Sequence, residues 1–379
     1  MPDQCCLQWV EVNTPTDGPT LQNHAGAICQ DVLYIHGGVT SNNALCKKPS
    51  SCLYKIQLYP EVGSWLDITT ADSPQLSQHT CLTFKDRYLI FIGGWNGRIR
   101  IPGVHTFDTL SNSWLPPALN EPLLTGFPQG AGLSAHSAQV IRSSVDKNEF
   151  SAIIIGREGS LRIQRKAGNI YLLYGYLLDE DLPTRRMKFV YCEADSSLTA
   201  SSRSYHTSTA ISPTTLVTIG GCKSNSIDIL KWKVEKGRKK DHLFSLNWPG
   251  SLDYPLTLCT IVTEFIQDIE KQNVKLTPLA PSNQNGWRGH CIVPGVGGLF
   301  IGTGEGYNAL KNEPLNSAYL LKYGENGSKP IIYEIGTINE SRAYAVCDVC
   351  RSDGTAWLHG GLGPQGRTMN TLMKLIRMN

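Results

Sequence analysis

Imidazoles and thiols are the groups in this chain that could hold a metal or relay a proton, and their spacing argues against both. The 379 residues include nine histidines and twelve cysteines. Five of the histidines, His24, His79, His136, His206 and His290, each stand 12 to 20 residues ahead of an apolar run ending in glycine, and Tyr344 takes the sixth such place. Those runs are LYIHGG, LIFIGG, IIIG, LVTIGG, LFIGTG and AWLHGG. One imidazole per repeat implies groups distributed around a wall, not ligands converging on one ion. Cys347 and Cys350 have the spacing of a zinc knuckle or a redox dithiol, but no second pair at matching spacing accompanies them. Cys29, Cys81, Cys291 and Cys347 fall just after the histidine-position residue, where a small apolar side chain packs well, and they read as reduced core thiols. No nucleophile elbow, phosphate-cradling glycine loop or paired-carboxylate motif stands out. The expectation is a chain that is not an enzyme, with no catalytic residue, metal or cofactor.

The elements that carry these residues follow from the internal order of the repeat. An apolar run starts near the histidine and a second one ends in the glycine pair. After a polar loop, a third run carries Tyr54, Phe107, Tyr171, Ile229, Tyr319 or Leu372, and a fourth carries Trp65, Trp114, Trp248, Tyr191 or Tyr333. Four short strands joined by turns make one antiparallel blade, and six copies mean a repeat architecture. Glycine belongs where a side chain would collide with a neighbouring backbone, and the aromatics fill the wedge between blades.

This pattern resembles the kelch repeat, and the resemblance covers about residues 5 to 379. It implies an all-β, six-bladed kelch β-propeller closed by the N-terminal strand. Blade 6 has no tryptophan strand of its own, whereas LQWVEV around Trp9 looks like one. The expected organisation is a single domain. Blade 1 takes about 21–69, blade 2 about 74–118, blade 3 about 131–195 and blade 4 about 200–250. Blade 5 takes about 286–336, and blade 6 about 341–379 plus the strand at 5–13. Segment 251–285 is an insertion in which Leu258, Ile261, Val262, Phe265, Ile266 and Ile269 have the spacing of a short amphipathic helix. Copper oxidases among kelch-like propellers need histidines gathered at one metal, and one per blade does not match that.

Composition fits a soluble body: hydrophobic residues make up 41%, no stretch of 18 apolar residues occurs, and MPDQCCLQWV is too polar for a signal peptide. The expected location is cytoplasmic, with cytoskeletal or ciliary placement as an alternative. Net charge is only +3, yet its distribution is uneven. The segments after the glycine pairs, 39–52, 95–103, 157–169, 222–228, 304–316 and 362–370, share one face of such a ring. They hold eleven basic residues against four acidic ones. Arg203, Arg288 and Arg342 stand just ahead of the first strands of blades 4 to 6, with Asn23, Gln78 and Ala135 at the corresponding place in blades 1 to 3. The kelch resemblance implies that such arginines accept acidic peptides at the mouth, since guanidinium groups favour carboxylates through paired hydrogen bonds. The alternative is that each arginine only ties adjacent blades together.

The function these features suggest is a non-catalytic interaction scaffold that binds an acidic segment of a protein partner. Its partner-binding residues would be Trp95, Arg98, Arg100, Arg157, Glu158, Arg162, Arg165, Arg203, Arg288 and Arg342. Two other roles compete. One is a structural subunit of a cytoskeletal or ciliary (axonemal) assembly. The other is the substrate receptor of a cullin-type ubiquitin ligase, for which no ligase-gripping segment is read. Neither nucleic acid nor membrane is expected as a partner; the basic run Lys236 to Lys240 lacks interleaved aromatics.

Overall fold

Strands such as Tyr88–Ile92 and Gly298–Gly302 are apolar at successive positions and buried throughout, because a radial sheet packs on both faces against its neighbours. The computed structural model describes residues 6–40, 48–119, 122–144, 148–156, 158–159, 170–179, 185–193, 203–212, 215–222, 227–231, 256–279, 287–306, 314–324, 330–339 and 341–378. Six antiparallel sheets form the blades of a propeller. Blade 1 runs Ala25–Cys29, Val32–His36, Leu53–Gln57, Leu66–Asp67, and blade 2 runs Thr80–Phe84, Tyr88–Ile92, Val104–Asp108, Ser113–Trp114. Blade 5 runs Cys291–Gly295, Gly298–Gly302, Ser317–Lys322, Ile331–Thr337. Blade 3 departs from the expected four strands. Outside Ser137–Ser144, Glu149–Ile155, Ile170–Asp179 and Arg186–Glu193, it gains Leu124–Thr125, parallel to its outer strand, which covers an otherwise open edge. Blade 4 shows Thr207–Ser212, Thr215–Ile219 and Ile227–Lys231; Trp248 and the run Lys236 to Lys240 lie outside the described residues.

Blade 6 is completed from the other end of the chain. Val346–Val349, Ala356–His359 and Leu372–Arg377 are joined by Leu7–Glu11, antiparallel, with Trp9 opposite Leu375. Leu7 and Trp9 are fully buried in a cluster with Val293, Phe300, Leu358 and Met373, so the closing strand carries the core shared by blades 5 and 6. Gln8 adds a side-chain clamp. Its Nε2 donates to Thr337 O at 3.0 Å, and its Oε1 accepts from Asn339 N at 2.7 Å.

Three belts of hydrogen bonds then run around the axis. In the first, the residue two ahead of each inner strand donates its backbone N–H to its counterpart one blade back. Asn23 bonds to Tyr344, Gln78 to Asn23, Ala135 to Gln78, Tyr205 to Ala135, Gly289 to Tyr205 and Tyr344 to Gly289, at 2.7–3.1 Å. All six lie in the left-handed region, with φ of 51–61°, although only one is glycine. In the second, the N–H of the second glycine reaches the next blade: Gly38 to Leu76, Gly94 to Leu133, Gly221 to Trp287, Gly304 to Arg342 and Gly361 to Leu21, at 2.5–2.8 Å. The first glycine of the pair is required by the same approach. A Cβ on Gly360 would lie 2.6 Å from Leu21 O and 2.7 Å from the His24 ring, and its φ is +66°.

The third belt is made by the histidines. Nε2 of His79 meets His36 Nδ1 at 3.0 Å, and that of His24 meets His359 Nδ1 at 3.4 Å. Nε2 of His136, His206 and His290 meets Thr80 Oγ1, Ser137 Oγ and Thr207 Oγ1, at 3.0, 3.0 and 2.6 Å. Each bond again points one blade back.

This register corrects the sequence reading of blades 5 and 6. Tyr344 is the counterpart of Tyr205 and Gly289 in the amide ring, so the histidine place of blade 6 is held by Ala345. The place of a first glycine in blade 5 is held by Thr303, at φ +61° and 2% exposed, not by Gly302. The two exchanges compensate: with no imidazole arriving from blade 6, the wall has room for a threonine. Arg203 and Arg342 correspond to Trp287, Leu133, Leu76 and Leu21. Arg288 therefore sits one residue later, and Asn23, Gln78 and Ala135 belong to the amide ring rather than to the arginine position.

The insertion folds as a helix, Thr260–Lys271, that buries Val262, Phe265, Ile266 and Ile269 under blades 5 and 6. Arg377 bonds Asp268 at 2.6 Å and Lys322 bonds Glu270 at 2.8 Å, fixing the helix to the third strands of blades 6 and 5. No helix among the described residues is long and apolar enough to cross a membrane.

Candidate partner-binding face

The glycine pairs end the second strand of each blade, so the loops after them rise on the same face as the amide ring. Asn96 Oδ1 accepts from Arg98 N and Ile99 N, both at 2.9 Å, and this turn holds Arg98 and Ile99 out into solvent beside the half-buried Trp95. Lys48 and Arg367 are also exposed. Arg157, Arg162 and Arg165 lie outside the described residues. Glu158 pairs through its backbone with Gly132 in a short ribbon at the top of blade 3.

The remaining predicted arginines are placed in the wall. Arg342 is fully buried, and its guanidinium donates to Gly360 O and to Thr371 Oγ1, both at 2.9 Å. Arg203 donates to Gly220 O at 3.0 Å and pairs with Asp228 at 2.5 Å. Arg100 is buried, with Nε on Ser134 Oγ at 2.9 Å. Arg203 and Arg342 thus tie the glycine-ended strand of their own blade to the chain entering it, through bonds to Gly220 and Asp228 in blade 4 and to Gly360 and Thr371 in blade 6. Arg288 is less enclosed. Its Nε bonds Glu305 Oε2 at 2.8 Å, and the same oxygen accepts from Tyr344 OH at 2.5 Å. Burial and the Glu305 carboxylate both push the Tyr344 phenol well above its ordinary range. Glu305 and Asp228, two of the four acids counted on this face, are therefore already engaged by arginine.

Inside the amide ring a channel descends along the axis. Its upper part, about 150 Å³, is lined by the five belt histidines together with Tyr205, Tyr344 and Ala345, and below it lies a cavity of about 280 Å³. The histidines do stand one per blade, but the wall they occupy is that of the channel. Burial pulls His24, His136, His206 and His290 down to about 3, and His79 well below its usual value, so all five are neutral at physiological pH. Toward the opposite face the channel is lined by Asp348, Arg351, Ser208, Thr209 and, from the insertion, Leu256 and Thr257.

No family model matches the chain. The chain is similar to Kelch domain-containing protein 9 of mouse, 24% identical over 343 residues, covering 88% of this chain and 85% of that one. It is likewise 24% identical over 349 residues to the human protein of the same name, with the same coverage. The chain is a six-bladed β-propeller whose repeats resemble the kelch repeat. A solved structure, that of YjhT, shares the fold at a TM-score of 0.56 and 13% identity, covering 97% of this chain and 99% of that one. The double-glycine strand, the inner histidine and the tryptophan-bearing outer strand of the kelch pattern are explained here by the belts and by inter-blade packing. Glu305 went unremarked in the sequence as a binding group for Arg288 and Tyr344. Its position directly after Gly304, opposite Arg288 in the adjoining ribbon, is the signal that could have found it.

Proposed function

We propose that this kelch propeller is a non-catalytic protein-interaction scaffold whose loop-bearing face holds an acidic segment of a partner. The observation that carries the reading is an imbalance of free charge. In the segments after the glycine pairs, Lys48, Arg98 and Arg367 are exposed, whereas Asp228 and Glu305 are paired with Arg203 and Arg288. An acidic segment arriving here meets these cations while Asp228 and Glu305, among the described residues, are already held by arginine, and a rigid ring holds the loops in place at little further entropic cost. Trp95, beside Arg98 and Ile99, supplies an amphipathic anchor of the kind that concentrates binding energy. Arg342 and Arg203 contribute by holding the mouth in shape rather than by touching the partner.

The test is binding of a fluorescent Asp/Glu-rich peptide, followed by anisotropy at low and moderate salt. Reversing Arg98, Arg157, Arg162 and Arg165 to Glu is expected to weaken binding at least about tenfold with an unchanged melting temperature, and added salt is expected to weaken the wild type. Arg351→Glu, at the opposite end of the channel, is the control. Wild-type protein that ignores the peptide, or equal loss from the control, would sink the reading.

A further inference from the structure

The histidine belt has one joint built differently. In blades 2, 3 and 4 the residue after the histidine is Thr80, Ser137 or Thr207, and its hydroxyl meets the imidazole of the next blade. In blade 5 that residue is Cys291, and the next blade presents Ala345. The Cys291 thiol turns instead to Ala345 O, 3.9 Å away, just ahead of the strand that carries Cys347 two residues on. Both sulfurs belong to inner strands of adjacent blades and both residues line the cavity of about 280 Å³. Cys291 is 5% exposed and Cys347 half-buried, so what access they have is from the channel.

We propose that Cys291 and Cys347 form an oxidisable thiol pair that reacts with a peroxide small enough to enter the channel, giving a disulfide that staples blade 5 to blade 6. The neighbouring Cys347 thiol holds the Cys291 thiol below its ordinary range, against the opposing effect of burial, and Cys347 is correspondingly raised. Cys291 is therefore the attacking sulfur. Its thiolate takes one oxygen of the peroxide; the O–O bond breaks and the departing hydroxide takes up a proton to become water, leaving a sulfenic acid. The Cys347 thiolate then attacks that sulfur, the S–O bond breaks, and a second hydroxide leaves as water while the S–S bond forms. Two thiols lose two electrons and two protons, and one hydrogen peroxide becomes two waters.

Tyr344 N bonds Gly289 O at 2.8 Å in the amide ring, which fixes the mouth ends of these two strands side by side.

The experiment treats the full chain with one equivalent of hydrogen peroxide, alkylates remaining thiols and maps peptides by mass spectrometry. A Cys291–Cys347 cross-link, two mass units below the sum of the reduced peptides and lost on adding dithiothreitol, is expected before any other cysteine reacts. Cys347→Ser is expected to stop at a Cys291 sulfenic acid captured by dimedone, and Cys291→Ser to leave Cys347 fully alkylated. The oxidised wild type is also expected to melt at a higher temperature than the reduced form, with no such difference in either variant. Both thiols remaining alkylated, prior oxidation of another cysteine, or dimedone capture at Cys347 in the Cys291→Ser protein would each overturn the proposal.

Discussion

The joint between blades 1 and 2 and the joint between blades 5 and 6 solve one problem with different side chains. In the first, Gly37 leaves room for the His79 ring, and His79 bonds back to His36. In the second, Thr303 stands in the glycine's place, Ala345 in the histidine's, and the polar contact shifts to Tyr344, Glu305 and Arg288 nearer the mouth. The backbone is the same in both: the amide ring and the second-glycine bond pass through each joint unchanged. What the ring demands is a left-handed turn and a filled wedge, and side chains are free to trade volume so long as the pair still fits.

The largest expected effect tests how much the closing strand supplies to the 5–6 joint. Trp9→Ala removes a fully buried indole from the shared core and is expected to cost about 3–5 kcal/mol in urea unfolding. A loss below about 1 kcal/mol would mean that the ring holds without its closing strand.

Acid should discriminate next, because the histidine joints contain groups that cannot protonate when folded. With folded values near 3 against about 6.5 unfolded, the unfolded chain binds more protons anywhere between, so stability is full above pH 6.5 and falls as pH drops toward 3. Each histidine adds up to about 1.4 kcal/mol per pH unit. Urea midpoints are expected to drop steeply from pH 6.5 to 5, and His136→Gln is expected to flatten the slope. A midpoint independent of pH over that interval would contradict the buried neutral belt.

The finest test exchanges the two joints directly. Ala345→His should clash with Thr303 and cost about 1–3 kcal/mol, whereas adding Thr303→Gly should return most of it. Simple additivity of the two changes would show that the pair is not coupled.

Fold and register were unequally legible in the sequence. Glycine-ended strands, their histidines and the outer aromatics repeat because every blade must meet its neighbour in the same way, so the six blades and the closing strand around Trp9 could be anticipated. The assignment of Tyr344 failed because glycine spacing varies with loop length. Comparing Arg203-Ser204-Tyr205-His206 with Arg342-Ala343-Tyr344-Ala345 aligns the two and places Ala345 correctly. Burial of Arg342 could not be anticipated from its type, since it is the Gly360 carbonyl and the Thr371 hydroxyl that let a guanidinium be enclosed there. Of the loop-bearing face, the surplus of basic residues was legible, but not which acids were already paired with arginine.

The amide ring has an electrical consequence. Its six N–H groups all point in the same rotational sense, so their dipoles run head to tail around a circle and cancel as a vector sum. A helix end concentrates such dipoles into a standing partial charge; this circuit gives cohesion with no polarity along the axis. The sign of the field at the mouth is left to the loop side chains, which can be recharged without disturbing the hoop beneath them.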